Sequence, residues 1–255
     1  MSLLEIKNLK TYFHTRAGTT RAVDDVSFSI DKGEIVGVVG ESGSGKSVTC
    51  HTMLGLLPSP PAKVEGGAVT FDGEDLIHLA PPILRAIRGK RISMIFQDPM
   101  MTLNPLLRID VQMIEAILAH EAVSRKVARE RAREALGMVG ISSPDERLRA
   151  YPHQFSGGMR QRVVIAISML HAPDIIIADE PTTALDVTIQ AQVLRLMCDL
   201  QKQTNMAILL ITHDMGIVNQ MADDLCIMYG GRVAEYGTRE QIFSNMAHPY
   251  TKLLF

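Results

Sequence analysis

Gly40-Glu41-Ser42-Gly43-Ser44-Gly45-Lys46-Ser47 fills the phosphate-gripping pattern G-x-x-x-x-G-K-[ST] at every position. A triphosphate held in a tight turn is bound through backbone N–H groups only where side chains stay clear, which suits Gly40, Gly43 and Gly45. Lys46 would reach the β- and γ-phosphates, and the Ser47 hydroxyl would take one position on Mg²⁺. A flexible Gly/Ser turn would match the same pattern by chance. The flanks argue against that. Ile35-Val36-Gly37-Val38-Val39 reads as a buried strand running into the loop, and Val48 to Leu57 reads as a helix leaving it with its positive end toward an anion.

Further along, Asp174-Ile175-Ile176-Ile177-Ala178-Asp179-Glu180-Pro181 has the signature of a buried parallel strand that ends in two acids. Carboxylates there are costly unless they face a cation or a polar ligand. Asp179 would hold Mg²⁺ through water, and Glu180 would orient and polarise a hydrolytic water. Thr183 to Asp186 reads as a loop in which Asp186 caps the next helix, whose Ile189, Val193, Leu196, Met197 and Leu200 share one face.

Three other positions carry chemistry with a bland alternative beside it. Gln97, just past an apolar strand from Arg91 to Phe96, could coordinate Mg²⁺ or the attacking water, or be a plain turn residue. His213, at the end of the Ala207 to Ile211 strand, could sense a γ-phosphate or be a satisfied structural histidine. Ser156-Gly157-Gly158 opens a helix through Leu170 and offers a second anion-binding terminus; an ordinary capped helix looks the same.

The remaining segments must position these groups. Leu4 to Phe13 and Ala22 to Ile30 read as two strands of an antiparallel flap, with Gly66 to Phe71 and the Asp72-Gly73 turn adding to it. Tyr12 or Phe13 could stack on an adenine ring; core packing is the alternative for both. Val111 to Gly140 turns helical and charged, with Ser124 as N-cap of Arg125 to Met138, and Arg129, Glu130, Arg131, Arg133 and Glu134 read as a solvated face. Leu225 to Tyr236, with Gly230-Gly231 at its centre, reads as a hairpin or a pair of edge strands, and a last helix starts near Arg239.

A chain of 255 residues that is 46% hydrophobic can bury a full core as one domain with an inserted lobe. Its net charge of −2 supplies no general attraction to nucleic acid or acidic lipid. There is no apolar run of ~18 residues and no secretion signal at the start, so a cytoplasmic chain is expected, touching a membrane through a protein partner. Cys50, Cys198 and Cys226 form no C-x-x-C pair, which leaves buried thiols as the reading, and the 15 methionines are adaptable core filling.

In order, the phosphate loop, Gln97, Ser156-Gly157-Gly158, Asp179-Glu180, Asp186 and His213 resemble the ATP-binding subunit of ABC transporters over nearly the full length. The resemblance implies an α/β P-loop NTPase (RecA-like) core over about 1–97 and 165–255 with an antiparallel β flap, and an inserted helical subdomain over about 98–164 that meets membrane subunits. It implies ATP and Mg²⁺ as cofactors, with Phe13, then Tyr12, at the adenine-stacking position and Glu41, Ser42 and Ser44 within the phosphate cradle. Two ATPase chains, identical or related, would close head to tail, so that Ser156-Gly157-Gly158 of one caps the γ-phosphate held by Lys46 of the other.

Phe96-Gln97-Asp98-Pro99, Leu103-Asn104-Pro105, Tyr151-Pro152-His153-Gln154, the run from Asp179 to Gln192 and His248-Pro249-Tyr250-Thr251 are similar to the dipeptide, oligopeptide and nickel importer branch. The partners implied are two transmembrane permease subunits and, indirectly, a substrate-binding protein, with no nucleic acid, at the cytoplasmic face of the inner membrane. Peptides are the expected cargo; nickel, a metallophore or glutathione are the alternatives. A soluble ABC ATPase acting on nucleic acid or ribosomes would show a long heptad insertion or two cassettes, and neither is present. Phe155 stands where the family usually has Leu, and Met159 where it generally has Gln, as this branch does. Many relatives carry a carboxy-terminal cysteine cluster for an iron–sulfur centre, and none is carried over to this chain.

Overall fold

The structure, a computed structural model, describes residues 2–183 and 185–254, and of Met100 and Met101 only the backbone. Two compact units make up the chain. One comprises Met1–Arg85 and Ala207–Phe255, the other Ala86–Met206.

The first unit starts with strands β1 (Leu4–Thr15) and β2 (Gly18–Ile30), then β3 (Ile35–Val39), helix α1 (Lys46–Met53), β4 (Ala62–Phe71), the two-residue β5 (Glu74–Asp75) and α2 (Pro81–Ile87). The flap is a sheet of order β2-β1-β4-β5, antiparallel throughout, with β1 shifting register against both neighbours near Lys7–Thr11. Both flap strands run longer than their apolar patterns, because ladder hydrogen bonds continue through exposed polar residues once a neighbour is present. Between the flap and α1, the Thr11 and Thr52 hydroxyls meet at 3.0 Å, which satisfies two buried polar groups with each other.

Unlike the flap, β3 is buried at all five positions. Strands sheltered on both faces read as continuous apolar runs, and this one occupies the span its pattern predicts. α1 ends at Met53, short of the expected Leu57: Leu54 is its C-cap and Gly55 takes a φ of 55°.

The second unit runs through β6 (Ile92–Ile95), α3 (Pro99–Thr102), α4 (Ile109–Leu118), α5 (Arg125–Met138), α6 (Pro144–Leu148), α7 (Gly157–Met169), β7 (Ile175–Asp179) and α8 (Val187–Thr204). β6 and β7 pair in parallel, Ile92 opposite Ile175 through Ile95 opposite Ala178. α5 has the expected bounds and the expected cap, Ser124 accepting from the Val127 N–H at 3.3 Å. Its buried stripe is Ala128, Ala132, Ala135 and Leu136.

The charged face of α5 departs from expectation. Arg129 donates to the buried Asp110 on α4 at 3.0 Å, and Arg131 donates to Glu121 at 2.5 Å and to the Leu170 carbonyl at 2.7 Å. The Arg133 and Glu130 pair lies along the exposed surface as a helical i,i+3 contact. Sequence periodicity could not separate these cases, since an arginine stem reaches partners on other elements.

The chain then returns to the first unit as β8 (Ala207–Thr212), α9 (Met215–Met221), β9 (Asp224–Tyr229), β10 (Arg232–Thr238), α10 (Arg239–Ser244) and α11 (Pro249–Leu254). β3 lies between β8 and β9 and is parallel to both, and β10 is the antiparallel edge partner of β9. The β9–β10 turn at Gly230-Gly231 and the helix at Arg239 both sit where they were expected.

Candidate functional site: the phosphate loop and the strand ends

In the first unit, loop 40–45 links the end of β3 to the start of α1, where Gly45 is the N-cap at φ 103° without a side-chain cap. A helix begun this way directs its first N–H groups toward an anion. Two glycines are forced by proximity. A Cβ on Gly40 would lie 2.2 Å from the Met228 carbonyl oxygen, and one on Gly45 would lie 2.4 Å from that of Ala22. The loop is therefore pressed against β9 and β2.

Backbone bonds hold the loop there. The Gly231 N–H donates to the Ser44 carbonyl at 3.0 Å, and the Asp24 N–H donates to Gly231 at 2.7 Å. Lys46 is only 5% exposed, and its ammonium donates to the carbonyls of Gly40 at 2.7 Å and Glu41 at 2.9 Å. A buried cation needs such partners, and these keep its charge at the first turn of the loop. The Glu41 N–H donates to the Tyr250 hydroxyl at 2.9 Å.

His213 is exposed and follows directly on β8. Because Val39 is the register partner of Thr212, Gly40 and His213 leave the sheet side by side at its carboxyl edge. Asp214 caps α9, accepting from the N–H groups of Gly216 and Ile217.

In the flap, Tyr12 and Phe13 are both half-buried and point to opposite faces of β1. Tyr12 is committed to a polar cluster. Its hydroxyl donates to Asp24 at 2.7 Å, and the Arg21 guanidinium lies 5.5 Å from its ring centroid. Bonding to Asp24 first, then burial, pushes the phenol upward; the Arg232 and Tyr12 hydrogen bonds hold the Asp24 carboxyl below its usual range.

In the second unit, β7 ends at Asp179, 6% exposed, with Glu180 immediately beyond. Gln97 lies two residues past the end of the neighbouring β6, at the same edge. The Gln97 amide donates to Glu180 Oε2 at 3.0 Å, and the Thr183 hydroxyl donates to that same oxygen at 2.8 Å. Glu180 has a φ of 46°, in the left-handed region where a non-glycine residue carries roughly 1–3 kcal/mol of strain.

Ser156 caps α7, accepting from the Met159 N–H at 3.3 Å, and Ser156 and Gly157 are exposed. A Cβ on Gly158 would lie 2.4 Å from Ile189 in the first turn of α8, and one on Gly157 would touch Leu185 at 3.4 Å. Asp186 caps α8 as expected, accepting from the Ile189 N–H at 3.0 Å. The turn that opens α7 and the cap that opens α8 thus share neighbours. The unusual Phe155 is buried, with the Arg147 guanidinium 5.7 Å from its ring centroid.

Sequence reasoning passed over two contacts. Thr183 enters the sequence reading only within a loop and the run from Asp179 to Gln192, and Tyr250 only within His248-Pro249-Tyr250-Thr251; those motifs are the available signal. Ser47, Gln97 and Asp179 offer hydroxyl, amide-carbonyl and carboxylate oxygens, the hard donors that Mg²⁺ prefers beside phosphate and water. Among the described residues, no cluster of three or more His, Cys, Asp or Glu could hold a metal by itself, and no helix is long and apolar enough to cross a membrane.

The ABC transporter pattern matches residues 23–183, more than half of the chain. The dipeptide transport ATP-binding protein of Bacillus subtilis (strain 168) is 54% identical over 98% of this chain and 75% of its own length. The oligopeptide transport ATP-binding protein OppD of the same organism is 50% identical over 98% of this chain and 70% of its own. The ATP-binding cassette MJ0796, solved as a dimer in a post-hydrolysis state with ADP and Pi, superposes with a TM-score of 0.81 at 28% identity, covering 92% of this chain and 98% of that one. Carrying the phosphate loop at the end of β3 and the paired acids at the end of β7, the chain belongs to the ABC transporter family as one of its ATP-hydrolysing cassettes.

Proposed function

We propose that this chain is the ATP-hydrolysing subunit of an importer for dipeptides or oligopeptides, working at the cytoplasmic face of the cell membrane. The observation that carries the reading is its 54% identity, along 98% of its length, with a dipeptide transport ATP-binding protein. Its partners in this reading are two transmembrane permease subunits, met through the helical segment 98–164, and a second ATPase chain closing head to tail. A substrate-binding protein delivers cargo from the other side.

The residues divide by task. Lys46 and the loop N–H groups hold the phosphates, and Phe13, rather than the engaged Tyr12, stacks on adenine. Ser47, Gln97 and Asp179 would hold Mg²⁺, which when bound would supply positive charge against the charge of the phosphates. Glu180 orients and polarises water for attack on the γ-phosphorus, and the bond to the β–γ bridging oxygen breaks with its electrons left on ADP. His213 contacts the γ-phosphate. Ser156-Gly157-Gly158 caps the γ-phosphate bound by the partner cassette, and Asp186 lies in the loop beside it. Positioning and charge stabilisation account for most of such a reaction.

Reconstitution with the permease pair in vesicles tests this. Peptide-loaded binding protein should stimulate ATP hydrolysis and drive labelled peptide inward, and Glu180→Gln should stop both. Hydrolysis indifferent to peptide, or uptake without ATP, would refute the importer assignment.

A further inference from the structure

The motif His248-Pro249-Tyr250-Thr251 has no task in the scheme above, yet its geometry is specific. On β10, Glu235 accepts from the Ala247 N–H at 2.9 Å, the His248 N–H at 3.1 Å and the Thr251 hydroxyl at 2.5 Å. His248 Nδ1 in turn accepts from the Tyr250 N–H at 3.1 Å. Burial pushes the Glu235 carboxyl up, and the Thr251 hydroxyl with the two N–H groups more than reverses it, so the group stays an anion below its usual range. One carboxylate thereby fixes the start of α11.

That turn aims one side chain. Tyr250 is 8% exposed, packed in a core cluster with Val39, Leu225 and Ile227, and its ring lies 4.4 Å from that of Tyr229 at the end of β9. Its hydroxyl accepts from the Glu41 N–H at 2.9 Å. Two residues past Tyr229, the Gly231 N–H donates to the Ser44 carbonyl. The loop is thus held at both ends of its first turn, by the β9–β10 turn on Ser44 and by α11 on Glu41.

We infer that Tyr250 is a positioning residue for ATP binding: its hydroxyl takes up the Glu41 N–H and presets the phosphate loop in its turned form. A loop already ordered loses less freedom when it closes on a triphosphate, so the brace acts on affinity. The inference rests on the loop being an ATP site.

The test uses the full chain and a fluorescent ATP analogue. Tyr250→Phe removes one oxygen and keeps the ring in its core. It should weaken ATP binding about three- to tenfold and raise KM for ATP in step, with kcat within about twofold and the melting temperature little changed. Amide exchange at Glu41 should quicken. Tyr229→Phe, which keeps the ring contact, should bind like the parent.

Glu235→Gln should weaken binding through the same contact, so the double variant should be no weaker than the worse single one. Equal affinity and equal Glu41 exchange in parent and Tyr250→Phe would overturn the inference; should that variant not fold, unchanged affinity in folded Glu235→Gln would do so. A parent chain that binds no nucleotide would instead overturn the ATP-site reading.

Discussion

The Gln97 amide and the Glu180 carboxylate, 83 positions apart, are joined by a hydrogen bond of 3.0 Å from Nε2 to Oε2. Thr183 adds a second donor to that oxygen, so Glu180 is fixed from both sides in its left-handed backbone conformation. Glu180→Gln keeps the shape and removes the charge. Turnover should fall at least about a hundredfold while ATP affinity stays within about threefold. Single-turnover kinetics beside equilibrium nucleotide binding separate the two; an unchanged rate would remove Glu180 from its assigned task.

The glycines of the phosphate loop should not be equivalent. Gly40→Ala and Gly45→Ala drive a methyl into backbone carbonyls at 2.2 and 2.4 Å, whereas a Cβ on Gly43 meets nothing within 4 Å. The first two should abolish ATP binding and destabilise by several kcal/mol; Gly43→Ala, at a φ of 82°, should cost only the backbone preference, about 1–2 kcal/mol. Urea unfolding with nucleotide titration gives the order, and equal losses at all three positions would contradict it.

Gly158→Ala places a methyl 2.4 Å from Ile189. It should lower the melting temperature and hydrolysis together, by about 1–3 kcal/mol in stability. Ile189→Ala in the same chain should restore much of the stability by opening that space. If the pair were no more stable than Gly158→Ala alone, the contact would not be the cause.

Arg131, and after it His171, hold the Glu121 carboxyl down to about 2 from an ordinary 4.5. A carboxyl depressed in the folded chain stabilises above its unfolded pKa, and that contribution drains away as pH falls from about 4.5 toward about 2. His120, itself lowered by burial and by His171, shares the cluster. Glu121→Gln should therefore reduce stability at neutral pH and flatten its decline through that acid window. Urea midpoints across the window decide; parallel curves for parent and variant would exclude the linkage.

The three thiols should differ. Burial pushes Cys226 up to about 12 and Cys50 is buried, while Cys198 on α8 is half-buried. Since the thiolate is the reactive form, a maleimide should label Cys198 first in the native chain. Mass mapping after a short pulse reads this directly, and early labelling of Cys226 would show that its strand opens.

What proved legible in the sequence was local or strongly periodic. The β3 span, the α5 bounds and the caps at Ser124 and Asp186 follow from apolar runs and from bonds that reach three residues ahead. α1 overran because an apolar stretch does not announce that Gly55 will adopt a positive φ. The arginines of α5 misled for a different reason. A helical face lined with charge looks solvated until α4 supplies Asp110 and the loop after it supplies Glu121.

By itself the sequence determined the chemistry on offer: a loop open to phosphate, acids at a strand end and helices capped to begin where they do, because each depends on neighbours a few residues away. Tertiary structure alone decided which side chains finish the work. Within the second unit Gln97 donates to Glu180 across 83 positions, and within the first Glu41 donates to Tyr250 across 209, because each unit packs segments that lie far apart in the chain. No local pattern encodes such a meeting, since its free energy exists only once each unit has folded.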